Sequence, residues 1–225
     1  MNLPSFFSFP KEPTLKVLRI GKIGPGGISL QRLEKLFIRL GKTKTYSLLP
    51  KELKKPRKKS GRPVILLFTG GYQRFLHVIP LLDKYGLKAV LALPVGLIGQ
   101  YDSWQEPHQG PWQDLLTQEQ IKHLAQNPNI AFATMGMDGT NLQNLPQDIA
   151  IWQLTESKVR LERLCAQAVT ATFFAQKDPT DFAVLSAAAQ HYEWIFTHQK
   201  GNNVFPPERS LKTIPVRRFR PFMWI

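Results

Sequence analysis

The segment from Val64 to Gln73, VILLFTGGYQ, constrains the fold of this chain more than any other. An apolar run, Val64 to Phe68, stops at Thr69, Gly70 and Gly71 and is followed by QRFLHVIPLLDKYG, whose apolar residues recur with helical spacing. The pattern predicts a buried strand, a tight loop and a helix. In parallel α/β proteins the loops after the carboxyl ends of the strands carry the chemistry, so this loop is the first place to expect a site.

The remaining segments alternate between strand and helix patterns, which makes α/β the expected fold class. With 225 residues and 43% hydrophobic residues, the chain can bury a sizeable core as one domain. Ser29 is predicted to cap the first helix and Gly41 to end it, while Thr117 and Gln120 form a capping box. The strands are predicted at Leu15–Ile20, Val64–Phe68, Leu87–Val95, Asn129–Met135, Val169–Ala175 and Trp194–Thr197, and the helices at Leu30–Leu40, from Gln73 to near Gly86, from Thr117 to Gln126, at Asp148–Ala166 and at Asp181–Tyr192.

The N-terminal apolar run is too short and too often broken by proline to be a secretory signal, and no segment approaches a membrane span. We therefore expect a soluble, cytoplasmic protein. The single cysteine, Cys165, excludes an intramolecular disulfide and a CxxC zinc site, and its apolar neighbours predict a buried structural thiol.

A net charge of +14 points toward an anionic partner. The charge is concentrated in KELKKPRKKSGR, a basic linker of residues 51–62, with a weaker group near the C-terminus. A solvated linker is the simpler interpretation, and phosphate binding is the alternative. The candidate anion-binding residues are Lys54, Lys55, Arg57, Lys58 and Lys59.

The stretch GRPVILLFTGGYQRFLHVIPLLDKYGLKAVLALPVGLIG resembles the opening of the polysaccharide deacetylase, or NodB-homology, domain, in which a TFDDGY loop leads to a helix ending in KYG. Upstream, ISLQRLEKLFIRLGKTKTYSL is similar to the helix and short strand that precede this loop in the family branch acting on poly-N-acetylglucosamine. Downstream, the segments LTQEQIKHL, SKVRLERL and QHYEWIFT follow in family order. The resemblance implies a distorted (β/α) barrel over residues 63–225, preceded by an N-terminal arm, short strand and helix packed on it (residues 1–50) and by the linker (51–62).

The residues that carry chemistry in the family differ here. The first aspartate of TFDDG is the family's base and the second is a metal ligand, but LFTGG has Thr69 and Gly70 at those places. The family's SHTxxH histidines correspond to Met135 and Gly139 in TMGMDG. Threonine cannot act as a carboxylate base, glycine has no side-chain ligand, and a thioether binds divalent zinc poorly. The sequence therefore predicts no metal, no cofactor and no catalytic residues of the family type.

A third motif aligns loosely with FFAQKD, leaving Gln176 and Lys177, and no counterpart of the family's late histidine is evident. His191 and His198 are expected to be structural or exposed. If the barrel mouth survives as a binding groove, aromatic rings there would suit sugar faces. Its predicted lining is Thr69, Gly70, Gly71, Tyr72, Trp104, Met135, Asp138 and Gln176.

The sequence thus predicts an inactive deacetylase-like protein with a carbohydrate-binding or regulatory role, its ligand an N-acetylated amino sugar. One alternative is a working carbon-nitrogen hydrolase with a rearranged site that uses Asp138 and His108. A second is a nucleic-acid or acidic-polymer binder acting through the basic linker. A third, weaker possibility is phosphate binding by the TGGYQ loop with Arg74 nearby.

Overall fold

The structure is a computed structural model that describes residues 14–54, 61–104 and 111–198, together with short strand segments at 203–204, 213–215 and 217–218. The α-helices of this part are α1 (Leu30–Lys42), α2 (Ile79–Lys84), α3 (Gln118–Ala125), α4 (Gln147–Cys165) and α5 (Phe182–His191). The strands are β1 (Thr14–Ile20), β2 (Thr45–Ser47), β3 (Arg62–Thr69), β4 (Ala89–Leu93), β5 (Ile130–Thr134), β6 (Ala171–Phe173), β7 (Trp194–Thr197), β8 (Asn203–Val204), β9 (Thr213–Pro215) and β10 (Arg217–Arg218).

The strands form a parallel sheet in the order β1, β3, β4, β5, β6, β7, β9. β10 pairs with the other side of β1. Because β9 and β10 are nearly consecutive in the chain, these pairings bring the two ends of the sheet together. The α/β class and the distorted (β/α) barrel are therefore confirmed. β1 is a strand of this sheet, between β3 and β10, so the predicted N-terminal strand contributes directly to the barrel.

Side-chain alternation along the strands divides the core in two. Residues such as Val17, Leu67 and Phe196 belong to a cluster inside the barrel. Intervening residues such as Leu66 and Phe68 pack in a second cluster with the apolar faces of the surrounding helices. The positions two residues beyond Val17, Leu67 and Phe196 face inward again and therefore point into the barrel mouth.

A buried hydroxyl network holds β5 and β6 against the helices below that mouth. The Tyr192 hydroxyl donates to the Leu154 carbonyl at 2.7 Å and lies 2.8 Å from Thr134 Oγ1. The Thr172 hydroxyl donates to the Thr134 carbonyl at 3.3 Å. Burial raises the pKa of Tyr192 to about 12, so the phenol keeps its proton and can donate.

Two predicted helix boundaries are wrong. α1 continues through Gly41 to Lys42, and Thr43 is its C-cap residue. The Thr43 hydroxyl donates to the Arg39 and Leu40 carbonyls. The helix expected from Gln73 begins instead as a 3₁₀ turn over Gln73–Val78, and only Ile79–Lys84 is α-helical. Pro80 explains the second difference, because proline fits the first turn of a helix and lacks the N–H needed further in.

The other predicted elements are confirmed with shifts of one to two residues at their ends. The Ser29 cap and the Thr117–Gln120 capping box are present. Cys165 is buried, and burial raises the pKa of its thiol to about 12. Among the helices of the described residues, none is long and apolar enough to cross a bilayer.

Gly41→Ala should stabilise the protein, because Gly41 lies in the last turn of α1 and a Cβ there would meet no atom within 4 Å. Alanine is favoured over glycine in a helix by about 0.5–1 kcal/mol. Urea unfolding should therefore show a gain of that size. The matched control is Gly70→Ala, where the backbone has φ +103° and a Cβ would lie 2.5 Å from the Tyr72 ring. A gain at Gly70, or a loss at Gly41, would contradict the described backbone.

Candidate functional site

Five inward-facing residues meet at the carboxyl end of the barrel. Arg19 is the last residue but one of β1, Thr69 ends β3, Met135 follows β5, Phe173 ends β6 and His198 follows β7. The Arg19 Nε donates to Thr69 Oγ1 at 3.4 Å, and its guanidinium carbon lies 5.0 Å from the centroid of the Phe173 ring. The Phe173 and His198 ring centroids are 5.1 Å apart. A guanidinium held by a hydroxyl and an aromatic face therefore supplies positive charge at the mouth.

The loop after β3 is fixed by its backbone. Gly70 has φ +103° and Gly71 has φ +68°, values that favour glycine. The Gly70 N–H lies 3.0 Å from the Ala92 carbonyl oxygen and 3.2 Å from Met135 Sδ, so β3, β4 and β5 are joined at one point. Any side chain at Gly70 would collide with the Tyr72 ring. A carboxylate there would require the loop to be rebuilt.

Apolar side chains fill the space behind this loop. A Cβ on Gly71 would lie 2.6 Å from Leu93. The cleft that Gly70 and Gly71 line, together with Pro94, Ile98 and Leu115, leaves no room for a water molecule. The loop thus rests on packed side chains rather than on a polar cavity.

The loop after β5 is also held by its own hydrogen bonds. The Thr140 N–H donates to Asp138 Oδ1 at 2.9 Å, and the Thr140 hydroxyl contacts the same oxygen. Gly139 has φ +74°, and a Cβ there would lie 3.5 Å from the Trp104 ring. Asp138 therefore shapes a turn, which is the role expected of an aspartate beside a left-handed glycine.

The structure brings together most of the predicted groove. Thr69, Gly70, Gly71, Tyr72 and Met135 are adjacent, and all five are buried. Trp104 joins them through Tyr72, their ring centroids being 6.3 Å apart. Asp138 and Gly139 lie on the next loop, whereas Gln176 is exposed on the turn after β6. The predicted groove is therefore shallow and largely closed at its centre.

Arg19 and Phe173 were not predicted at the mouth from the sequence, and His198 was expected to be a structural or exposed residue. The backbone N–H of His198 donates to both Asp178 oxygens, at 2.8 and 2.9 Å. Its Nε2 is 2.8 Å from the Phe174 carbonyl oxygen, a partner that assigns the proton to Nε2. The alternation of β7, in which Phe196 faces inward, could have placed His198 at the mouth. His191 is exposed at the end of α5, and His108 lies outside the described residues.

The residues at the mouth do not fit the divalent metal of the resembled family. Within residues 14–54, 61–104 and 111–198, no cluster of three or more His, Cys, Asp or Glu side chains is placed to hold a metal ion. Asp138 and His198 already have hydrogen-bond partners. A catalytic zinc site needs three nitrogen, oxygen or thiolate ligands and an open position, and this arrangement does not supply them.

A buried ion pair anchors the rim beside the mouth. Lys22 Nζ lies 3.0 Å from Asp102 Oδ2, with side chains 8% and 0% exposed. Asp102 Oδ1 accepts the Gln113 N–H at 2.6 Å, and the Gln113 side chain donates to the Pro25 carbonyl at 2.8 Å. The loop after β1 and both arms of the loop after β4 are thereby tied together.

This rim displays two stacked aromatic rings. The Tyr101 and Trp112 centroids are 4.8 Å apart with an interplanar angle of 15°, and the residues are 46% and 47% exposed. Tyr101 pairs with Asp114, and Tyr72 with Leu115, so the stacked rings and the mouth loop lie on adjoining extended segments. No local sequence pattern indicates that these two rings would meet.

Of the predicted anion-binding residues, Lys54 is exposed and pairs with Glu193 at 2.8 Å. Lys55, Arg57, Lys58 and Lys59 lie outside the described residues. Arg74 is exposed, with its guanidinium packed near Gly24.

No protein-family model matches this chain, and no curated protein matches it. Several solved structures do match this chain. The Streptococcus pyogenes deacetylase PplD, in complex with acetate, superposes with a TM-score of 0.73 and 19% identity, covering 95% of each chain. A de-N-acetylase from Aggregatibacter actinomycetemcomitans has a TM-score of 0.75, 16% identity and coverage of 94% of this chain and 97% of its own.

BC0361, a polysaccharide deacetylase from Bacillus cereus, has a TM-score of 0.75 and 17% identity over 92% of this chain and 65% of that one. The chain therefore has the polysaccharide deacetylase (NodB-type) fold, as the sequence resemblance implied.

Removing one member of the Lys22–Asp102 pair should be costly, since it leaves the other charge buried. We expect Asp102→Asn and Lys22→Met each to lower the free energy of unfolding by about 3 kcal/mol. The double variant should lose less than the sum by at least about 1 kcal/mol. Chemical denaturation of the four proteins measures this coupling.

The control is Arg160→Gln, which removes an exposed pair with Glu156 and should cost at most about 1 kcal/mol. Additive losses in the double variant would show that Lys22 and Asp102 do not act as a pair.

Proposed function

We propose that this protein binds an N-acetylated amino-sugar chain at the rim of its barrel without hydrolysing it. The observation that carries the proposal is the pairing of an exposed aromatic stack, Tyr101 on Trp112, with a mouth whose described residues do not group three His, Cys, Asp or Glu side chains around a metal position. The fold supports the ligand class, because its structural neighbours include a polysaccharide deacetylase and a de-N-acetylase.

The stack suits a sugar because pyranose rings present apolar C–H faces, and large aromatic side chains provide broad contact with little conformational freedom to lose. The ring pair is also preorganised. Asp102 lies next to Tyr101 and accepts a hydrogen bond from the backbone N–H of Gln113, which lies next to Trp112, so one buried carboxylate joins the two backbone segments that carry the rings. A fixed platform loses less entropy on binding than mobile side chains would.

Absence of hydrolysis follows from the chemistry of the mouth. Activating water against an amide requires a general base, and in this fold also a cation to polarise the carbonyl. Thr69 is not ionised near neutral pH, and Asp138 is engaged by Thr140. The Arg19 guanidinium can attract a carbonyl or carboxylate oxygen, but it supplies no general base to activate a water molecule.

Calorimetric titration with chitooligosaccharides tests the binding surface. Trp112→Ala should weaken binding by about tenfold or more, since stacking on an exposed ring contributes on the order of 1–2 kcal/mol. Trp152→Ala is the matched control, because Trp152 is 46% exposed but lies on α4. Equal affinity of the Trp112 and Trp152 variants, or no binding by the unaltered protein, would contradict the proposed site.

Acetate release from the same oligomers, measured with added Zn²⁺ and then with a chelator, tests the lack of hydrolysis. We expect no release above background under either condition. Release that disappears with the chelator, or with Asp138→Ala, would instead support the rearranged hydrolase.

A further inference from the structure

The net charge of the chain comes almost entirely from one segment. Residues 14–62 contain 15 of the 30 lysine and arginine residues but only 2 of the 16 acidic ones, which gives this segment a net charge of +13 out of +14. The following 163 residues are close to neutral. A segregation of this kind within a folded domain marks a surface with a strong positive potential.

The two acidic residues of this segment have cationic partners outside it. Glu34 accepts hydrogen bonds from Lys84 at 2.8 Å and from Tyr85 at 2.9 Å, and both partners come from outside the segment. Glu52, 8% exposed, pairs with Lys88 at 2.7 Å and caps the Leu49 N–H. Two acids against 15 cations leave the segment strongly positive.

Four cations of the segment form a row along α1. Arg32, Lys35, Arg39 and Lys42 are spaced by three, four and three residues, which places them on one helical face. All four are exposed, and the opposite face of α1, with Leu33, Phe37 and Leu40, is buried against the barrel. At about 1.5 Å per residue the row is about 15 Å long.

The row continues beyond the end of α1. The Arg62 N–H donates to the Lys44 carbonyl at 3.1 Å, and β2 pairs with the start of β3 through Thr45 and Arg62. Lys44 and Arg62 are both exposed. The end of α1 is therefore adjacent to two further exposed cations, and together they make a set of six: Arg32, Lys35, Arg39, Lys42, Lys44 and Arg62. We name this set the α1 row.

We propose that the α1 row binds the phosphate backbone of double-stranded nucleic acid without reading its sequence. A duplex carries one negative charge per about 1.7 Å of its axis, and several arginines and lysines exposed on one helical face can contact neighbouring phosphates. Contacts of lysine and arginine with phosphates position a protein on a duplex but carry no sequence information.

Two observations favour a duplex over other polyanions. Single-stranded nucleic acid is bound through aromatic rings on which bases stack, and the one aromatic residue of α1, Phe37, is buried. A membrane-surface helix places its apolar face in the lipid, whereas the main apolar face of α1 is buried in the protein. This surface lies on the outside of the barrel and is independent of the sugar site proposed above.

Fluorescence anisotropy with a labelled 20-base-pair duplex, measured from about 50 to 200 mM salt, tests this surface. The test variant replaces Arg32, Lys35, Arg39 and Lys42 by glutamine, which keeps helix propensity. The control replaces Arg74, Lys122, Arg163 and Lys177, also two arginines and two lysines and all exposed. Both variants retain the basic linker and carry the same net charge. Circular dichroism and thermal unfolding confirm that both are folded.

We expect the test variant to lose at least tenfold in affinity near 100 mM salt and about three units of the slope of log K against log salt. The control should change the affinity by no more than about threefold, through long-range charge alone. Equal losses in the two variants would show that only net charge matters and would overturn the proposal. So would binding to phosphatidylserine vesicles or to single strands in preference to the duplex.

Discussion

The conformation of Gly70 is the constraint on which the barrel mouth depends. With φ at +103°, the loop turns so that its N–H meets the Ala92 carbonyl and the Met135 thioether. Tyr72 then occupies the space that a side chain at Gly70 would need. The backbone of the loop after β3 therefore has a conformation suited to glycine, and presenting a ligand side chain from position 70 would require a different loop conformation.

The positive charge of the molecule is divided between two places with different surroundings. At the mouth, Arg19 is held by Thr69 and Phe173, and its charge acts over a short range on whatever enters. Along α1 the cations are exposed, and their field is long-ranged but screened by salt. Ligand binding at the rim and binding of a polyanion are thus expected to respond differently to ionic strength.

Periodicity and capping chemistry predicted the order of elements, because each strand and helix is largely determined by its own residues. Gly41 shows where this fails, since burial of Leu40 and the Thr43 cap carry α1 past a residue that would end an isolated helix. The site was harder to predict. Arg19 and His198 face the mouth only because of the phase of their strands, and Lys22 meets Asp102 across 80 residues of sequence. Contacts of that range depend on the closed barrel and leave no local pattern.

The central claim is that the deacetylase barrel persists with a mouth packed by its own backbone and side chains in place of a metal. The most direct measurement is anomalous diffraction at the zinc edge from crystals soaked in Zn²⁺. The account predicts no ordered zinc among Thr69, Met135, Asp138 and His198. A fully occupied zinc there, with nitrogen or oxygen ligands at about 2.0–2.2 Å, would contradict it.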